Sequence, residues 1–156
     1  MRFIEQLYFA VENNDIVTVE AMLLAGLNVH SDRDYCIKEA ASNGNNDMVK
    51  LLLRFEAHPN RRGQIRDRHE GLTPIVLAAR NGHVEVVKTL LEDNRVDIYL
   101  SLTASIERGH TEVVKVIMDD TRLLNQVFSY RWLNKVLPTA NPSMLKFLSN
   151  YPSLWV

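Results

Sequence analysis

Hydrophobic and polar residues follow a pattern that repeats along the chain. In residues 81–91, a polar Asn-Gly-His turn precedes a run of valines and leucines that is interrupted by Glu85 and Lys88. Similar segments occupy residues 13–24, 43–53 and 108–118, and residues 142–148 match its second half. One polar position of the pattern recurs, with a spacing of roughly 30 residues that is typical of helical repeat arrays, at Glu20, Lys50, Lys88, Lys115 and Lys146. The chain is therefore predicted to hold five repeat units.

Each unit is predicted to contain two short helices. In the third unit, Ile75, Ala78 and Ala79 lie three and four positions apart, which places them on one face of a helix. Pro74 suits the first turn of that helix because its missing N–H needs no partner there. Gly82 suits the left-handed conformation that ends it, and the apolar stripe of a second helix follows at once. The unit is thus an antiparallel helical hairpin.

Stretches rich in Gly, Asn, Asp and Arg separate the helix pairs and predict exposed loops that project as fingers. Because the units are unevenly spaced, the finger between Phe55 and Leu72 should be long and the one between Asn94 and Leu102 short. Residues 96–99 are interpreted as a strand-like fragment of the short finger.

Residues 71–91 resemble the ankyrin repeat, with its Gly-x-Thr-Pro start, Ala-Ala pair, Gly-His turn and Val-Val-Lys second helix. The resemblance implies an all-α ankyrin-repeat solenoid of about five helix-turn-helix units with projecting β-hairpin or loop fingers. The chain is then a single ankyrin repeat domain, 1–156, whose first and last units are degenerate caps. The approximate units are 1–30, 31–66, 67–98, 99–124 and 125–156.

One departure from the family concerns its Thr-Pro-Leu-His tetrapeptide, which is here Thr73-Pro74-Ile75-Val76. Lys38, Thr103 and Asn134 stand at the place of that histidine in other units. The polar network that this histidine makes is therefore expected to be absent.

Composition narrows the classes of function. The 156 residues are 46% hydrophobic and 24% charged, as expected of one folded domain. The net charge of −1 lacks the basic field of a general nucleic-acid or acidic-membrane binder. A single cysteine cannot form an internal disulfide, and no apolar run approaches the roughly 20 residues of a membrane helix. We expect a cytoplasmic monomer without membrane contact.

The reactive side chains do not converge on a catalytic site. Cys36 has no histidine base nearby in sequence and is interpreted as a small packing residue. A hydrolase that pairs Cys36 with a finger histidine remains a third hypothesis. His83 and His110 share one repeat position, for which the resemblance implies a structural role. No catalytic residue, metal ion or cofactor is predicted.

Five arginines lie on or beside the long finger: Arg54, Arg61, Arg62, Arg66 and Arg68. Arginine clamps carboxylates or phosphates with paired hydrogen bonds, so anion or nucleic-acid binding through finger 54–68 is the alternative function. The competing interpretation, slightly favoured, is a loop whose charges keep it solvated. Nearby acids and the lack of aromatic residues disfavour nucleic acid as a partner.

Ankyrin repeats usually bind partner proteins through their finger tips and through the concave face formed by their first helices. The resemblance therefore implies a non-catalytic protein–protein interaction module, or scaffold, whose partner is another protein. The binding face is expected to extend in the neighbouring units to Asp32, Asp34, Ser42 and Asn43 on one side, and to Glu107 and Phe128 on the other. Carried over position by position, the expected partner-binding residues are Arg68, His69, Glu70, Leu72, Arg80, Asn81, Tyr99, Arg108 and Tyr130.

Overall fold

The computed structural model describes residues 3–62, 72–96, 98–124 and 130–151, and all regular secondary structure within these ranges is helical. The predicted all-helical architecture is confirmed. The helices are α1 (Phe3–Glu12), α2 (Ile16–Leu24), α3 (Ser31–Ser42), α4 (Asn46–Arg54), α5 (Pro74–Asn81), α6 (Val84–Leu91), α7 (Ile98–Arg108), α8 (Thr111–Met118), α9 (Thr121–Leu124), α10 (Tyr130–Val136) and α11 (Pro142–Leu148). A short 3-10 turn, Leu137–Thr139, lies between the last two helices.

The helices pack as two rows. In the first row, α5 lies between α3 and α7, and α1 and α10 continue the row at its two ends. In the second row, α6 lies between α4 and α8, and α2 packs against α4. Each of the first four pairs also packs its two helices against each other. The boundaries of the units within 1–156 stay a prediction.

The third helix pair shows how the local sequence builds a unit. Thr73 is extended, Pro74 occupies the first turn of α5, and Gly82 ends the helix with a φ of +80°. Ile75, Ala78 and Ala79 are fully buried. The start, the apolar face and the end of this helix all follow the expectation from its sequence.

A contiguous apolar core runs through the stack from Leu7 in α1 to Leu148 in α11. Coverage is poorer at the first helix, where 76% of Phe3 and 60% of Phe9 remain exposed. Among the described helices, α1 packs against α2 and α3, so it is less covered than α5 in the middle of the row.

The loops between helix pairs differ in length in the predicted direction. Helix α4 ends at Arg54 and α5 begins at Pro74, whereas α6 ends at Leu91 and α7 already begins at Ile98. No strand is found in the described residues. Residues 63–71, which belong to the predicted long finger, lie outside them, so the β-hairpin form of the fingers stays a prediction.

The strand-like interpretation of residues 96–99 is wrong. Ile98 and Tyr99 form the first turn of α7. Ile98, Leu102 and Ile106 are buried and lie four positions apart, so they form one helical face toward the core. The helical period from Ile98 to Ile106 therefore determines the structure, and the short strand-like alternation of residues 96–99 does not.

Candidate functional site

A groove of about 290 Å³ crosses the row of first helices. It lies among α5, α7 and α10, with the loop residue Leu72 at one side. The helical residues that line it are Val76 and Arg80 from α5, Leu100, Thr103, Ala104, Glu107 and Arg108 from α7, and Lys135 from α10.

Helical periodicity places the α7 residues along the groove. Leu100, Thr103, Ala104 and Glu107 follow the spacing of one helix face. The opposite face of α7 is anchored in the core, where Leu102 is fully buried. The groove surface therefore lies on a helix whose opposite face is packed into the core of the stack.

A pair of hydrogen bonds fixes the floor of the groove. The Thr103 hydroxyl donates to the Tyr99 carbonyl oxygen at 2.9 Å and accepts from Trp132 Nε1 at 3.0 Å. The second bond ties α10 to α7. The Thr103 hydroxyl thus has hydrogen-bond partners within the protein for its donor and for one acceptor position. The remaining groups on the floor are mainly apolar and include Val76 and Ala104.

The described charged groups of the groove are mostly basic. Arg80, Arg108 and Lys135 line it together with the carboxylate of Glu107. Arg108, Lys135 and Glu107 are exposed, and neither Arg108 nor Lys135 forms an ion pair with a described residue. The site is thus an apolar trough with a basic rim.

The structure brings three of the expected partner-binding residues to this groove: Leu72, Arg80 and Arg108. Tyr99 is 37% exposed at the start of α7 but does not line the groove. The Asn81 side-chain amide donates to the Ser42 carbonyl oxygen at 2.8 Å, and so links α5 to α3.

The other expected residues cannot be placed in the site. Arg68, His69 and Glu70 lie outside the described residues, as does the side chain of Tyr130, whose backbone begins α10. The partner-binding role of all nine residues stays a prediction.

Sequence reasoning did not select Val76, Leu100, Thr103, Ala104 or Lys135. Val76 and Thr103 hold equivalent positions in consecutive units. The alignment of the repeats could therefore have predicted that both lie on the same face. Lys135 left no such signal, because its place depends on how α10 packs against α7.

Asp34 lies at the base of the long finger rather than on an exposed binding face, which corrects the expectation for this residue. It is fully buried, with a φ of 60° in an irregular first turn of α3. Its carboxylate binds His30 Nδ1 at 2.7 Å, and accepts from the His58 backbone N–H at 3.0 Å and from Arg61 Nη1 at 3.3 Å. Because of these contacts and its burial, the Asp34 carboxylate is not part of a surface that a partner protein could contact.

The arginines of the finger are partly engaged inside the molecule. Arg61 donates to Asp34, and Arg54 Nη2 pairs with Glu20 Oε1 at 2.6 Å. Arg66 and Arg68 lie outside the described residues. The anion-binding alternative stays a prediction, and among its described arginines Arg54 and Arg61 already have carboxylate partners.

The two turn histidines make equivalent contacts between neighbouring units. His83 Nε2 donates to the Ser42 carbonyl oxygen, and His110 Nε2 donates to the Arg80 carbonyl oxygen, both at 2.9 Å. Both rings therefore join successive units. Among the residues that the structure describes, no group of His, Cys, Asp and Glu is arranged to hold a metal ion.

Cys36 is a fully buried thiol in α3. Burial raises the pKa of this thiol to about 12, and the nearby carboxylates of Asp34, Asp32 and Glu39 also raise it. A thiol with so high a pKa is protonated near neutral pH and is a poor nucleophile. This environment does not support the hypothesis of a cysteine hydrolase.

A family model described as ankyrin repeats in three copies matches residues 7–101 and, overlapping them, residues 37–128. The chain belongs to the ankyrin repeat family. The predicted resemblance is therefore confirmed well beyond the unit that first showed it. Ankyrin repeats are in general protein-interaction modules, and no helix in the described ranges has the length and apolar character to cross a membrane.

Two relatives align with short segments of this ankyrin repeat chain. Dynein axonemal heavy chain 12 of Bos taurus is 43% identical over 54 residues, and ankyrin repeat and SOCS box protein 14 of Homo sapiens is 41% identical over 54 residues. Each alignment covers 35% of this chain, but only 15% and 9% of the respective relatives. The likeness is therefore confined to a small part of those longer proteins.

Proposed function

We propose that this ankyrin repeat protein is a non-catalytic module that binds another protein through the concave face of its first helices, with the finger tips as a second contact. The groove carries the proposal, because it gathers Leu72, Arg80 and Arg108 from separate parts of the chain. Arg68, His69 and Glu70 are the finger residues of the same proposed surface.

The rigidity of the groove supports this role. Two of its helices, α5 and α7, are each packed between two neighbours in the row, and the bond between Trp132 and Thr103 fixes the approach of α10 to α7. Little conformational freedom is then lost when a partner docks. Exposed arginines such as Arg108 suit an interface, because arginine is among the residue types most often found at binding hot spots.

Filling the groove without changing its charge tests the proposal. Ala104→Met places a flexible, uncharged side chain in the trough on a residue type that favours helix. Proteins captured from a lysate by the immobilised chain should be lost or strongly reduced with this variant.

Ala21→Met makes the same change at an exposed position of α2 and serves as the control. It should capture the same proteins as the parent chain, and both variants should retain its thermal unfolding midpoint. An undiminished captured set with Ala104→Met would contradict the proposed binding face.

A further inference from the structure

We infer that the groove among α5, α7 and α10 recognises an acidic peptide segment of its partner, with one apolar side chain seated between carboxylates. This inference rests on the proposed function and adds the chemistry of the partner. It follows from the floor, the rim and the size of the groove.

The floor selects an apolar side chain. Leu72, Val76, Leu100 and Ala104 supply its surface, and Leu100 leaves 39% of its area exposed to solvent. The Thr103 hydroxyl is occupied by Tyr99 and Trp132. An apolar anchor would remove this surface from water without stripping a polar floor group of its hydrogen bonds.

The rim selects acidic neighbours on either side of that anchor. Arg108 and Lys135 approach the groove from two different helices and are free of ion pairs with the described residues. Among the described residues, peptide carboxylates would therefore have no ion-pair partner of Arg108 or Lys135 to displace. Glu107 is an opposing charge on the same rim, and it would repel a carboxylate placed beside it.

The size of the groove favours a peptide side chain over a cofactor. Its volume of about 290 Å³ is at the low end of small-molecule pockets, which begin near roughly 300 Å³. The groove is also partly open to solvent, so a bound peptide need not end at its anchor.

A nucleic-acid strand fits this site less well. None of the described residues that line the groove is aromatic, so bases would lack a stacking platform among them. The apolar floor offers nothing to a phosphate, and Glu107 opposes it. The combination of apolar floor and basic rim instead matches a peptide that carries both characters.

The test uses the full chain, labelled with ¹⁵N, and three pools of short synthetic peptides. In the first pool, a central Leu, Phe or Met is flanked by randomised Asp and Glu. In the second, Lys and Arg replace the acids, and in the third, Ser and Gly replace the apolar centre. Amide shifts locate the binding site, and the titration gives the affinity.

The first pool should shift the amide resonances of α7 and bind more tightly than the other two. Arg108→Gln with Lys135→Gln should weaken its binding by about tenfold, since each exposed rim charge contributes modestly to the attraction of a carboxylate. The matched control is Lys115→Gln with Lys146→Gln, which removes the same charge from exposed positions on α8 and α11 and should leave the affinity unchanged.

Glu107→Gln gives a change in the opposite direction that misfolding cannot imitate. Because it removes the opposing rim charge, it should tighten binding of the acidic pool by about threefold. Weaker or unchanged binding with this variant would count against the inference.

Equal binding of the acidic and basic pools, no shift at α7 with any pool, or tighter binding at α7 of a single-stranded oligonucleotide would overturn the inference. The proposed function would survive those results if Ala104→Met still abolishes capture of partner proteins. If Ala104→Met leaves capture intact, the proposed function itself fails.

Discussion

Ala78 occupies the middle of α5, where α3 and α7 both press against the same helix and leave the side chain fully buried. Ala78→Asp would place a carboxylate there without a counter-charge. We expect the free energy of unfolding to fall by on the order of 3–5 kcal/mol. Urea denaturation followed by circular dichroism measures this loss.

The control for that substitution is Ala21→Asp, the same change at an exposed position of α2. It should cost less than about 1 kcal/mol, because only helix propensity changes. Similar losses for the two variants would show that α5 is not the tightly packed centre described above.

The buried thiol makes stability depend on alkaline pH. The pKa of Cys36 rises from its usual 9.0 to about 12 on folding, so above pH 9 the unfolded chain releases a proton that the folded chain keeps. The stabilisation is complete below pH 9 and is lost as pH rises toward 12. The free energy of unfolding should fall more steeply with pH in the parent chain than in Cys36→Ala.

Comparing the pH dependence of the two proteins cancels most of the contribution of other alkaline groups. Tyr8, whose pKa is also raised, first by burial and to a smaller extent by Asp32 and Cys36, is present in both. Replacing Cys36 by the smaller alanine lowers the free energy of unfolding by the same amount at every pH. It therefore does not change the slope of stability against pH. Parallel pH curves would mean that Cys36 ionises in the folded chain as easily as in the unfolded one.

At the level of elements, the turn between the two helices of a unit also fastens that unit to the next. A Cβ atom added to Gly44 would lie 2.6 Å from Nδ1 of His83, and one added to Gly82 would lie 2.8 Å from Nδ1 of His110. In the last pair, Asn141 takes the place of the histidine against Gly109. Each glycine thus permits both a left-handed turn and the close approach of the following unit.

Gly82→Ala should therefore lower the free energy of unfolding by more than the strain of placing alanine in a left-handed conformation. Gly26 also has a positive φ, of 93°, but no atom of the described structure lies within 4 Å of a Cβ added there. Gly26→Ala should lower the unfolding free energy by about 1–2 kcal/mol, and Gly82→Ala by more, since the His110 ring must also shift.

A double-mutant cycle separates the two contributions at Gly82. In a His110→Ala background, the cost of Gly82→Ala should drop to that of Gly26→Ala, because the steric conflict is gone. An unchanged cost in that background would rule out the histidine contact as its source.

The elements that could be predicted from sequence are those specified by residues close together in the chain. Pro74, the pair Ala78 and Ala79, and Gly82 mark the start, face and end of α5 within a few positions. The strand-like interpretation of residues 96–99 failed because Leu102 and Ile106, further along the chain, establish a helical face. A short window missed the longer period.

The groove was only partly predictable, because distant residues complete it. Repeat register indicated Arg80 and Arg108, since each lies in the last turn of a first helix, just before the Gly-His turn. The floor bond joins Thr103 to Trp132, and the burial of Asp34 depends on Arg61 across a loop. Such contacts follow from packing between units, which the periodicity within each unit does not specify.

For the whole molecule, stability should grade along the stack. α5 packs against helices on both sides, whereas α1 has a neighbour on one side and leaves much of Phe3 and Phe9 exposed. Because each unit contacts only its neighbours, the ends should open more easily than the centre. Amide hydrogen exchange should be slowest in α5 and faster in α1 and α11.

Hydrogen exchange measured by mass spectrometry can resolve this gradient peptide by peptide. Equal protection of α1, α5 and α11 would indicate that the chain opens only as one cooperative unit. It would then behave as a compact domain rather than as a stack of neighbouring units.

Site-specific photocrosslinking tests most directly whether the first-helix groove is the binding face. A photoreactive residue placed at Leu100, Glu107 or Lys135 should crosslink to a partner protein in a lysate. The same residue on the second row of helices, at Lys50, Lys88 or Lys115, should not. Crosslinks confined to the second row, or equal from both rows, would contradict the proposed binding face.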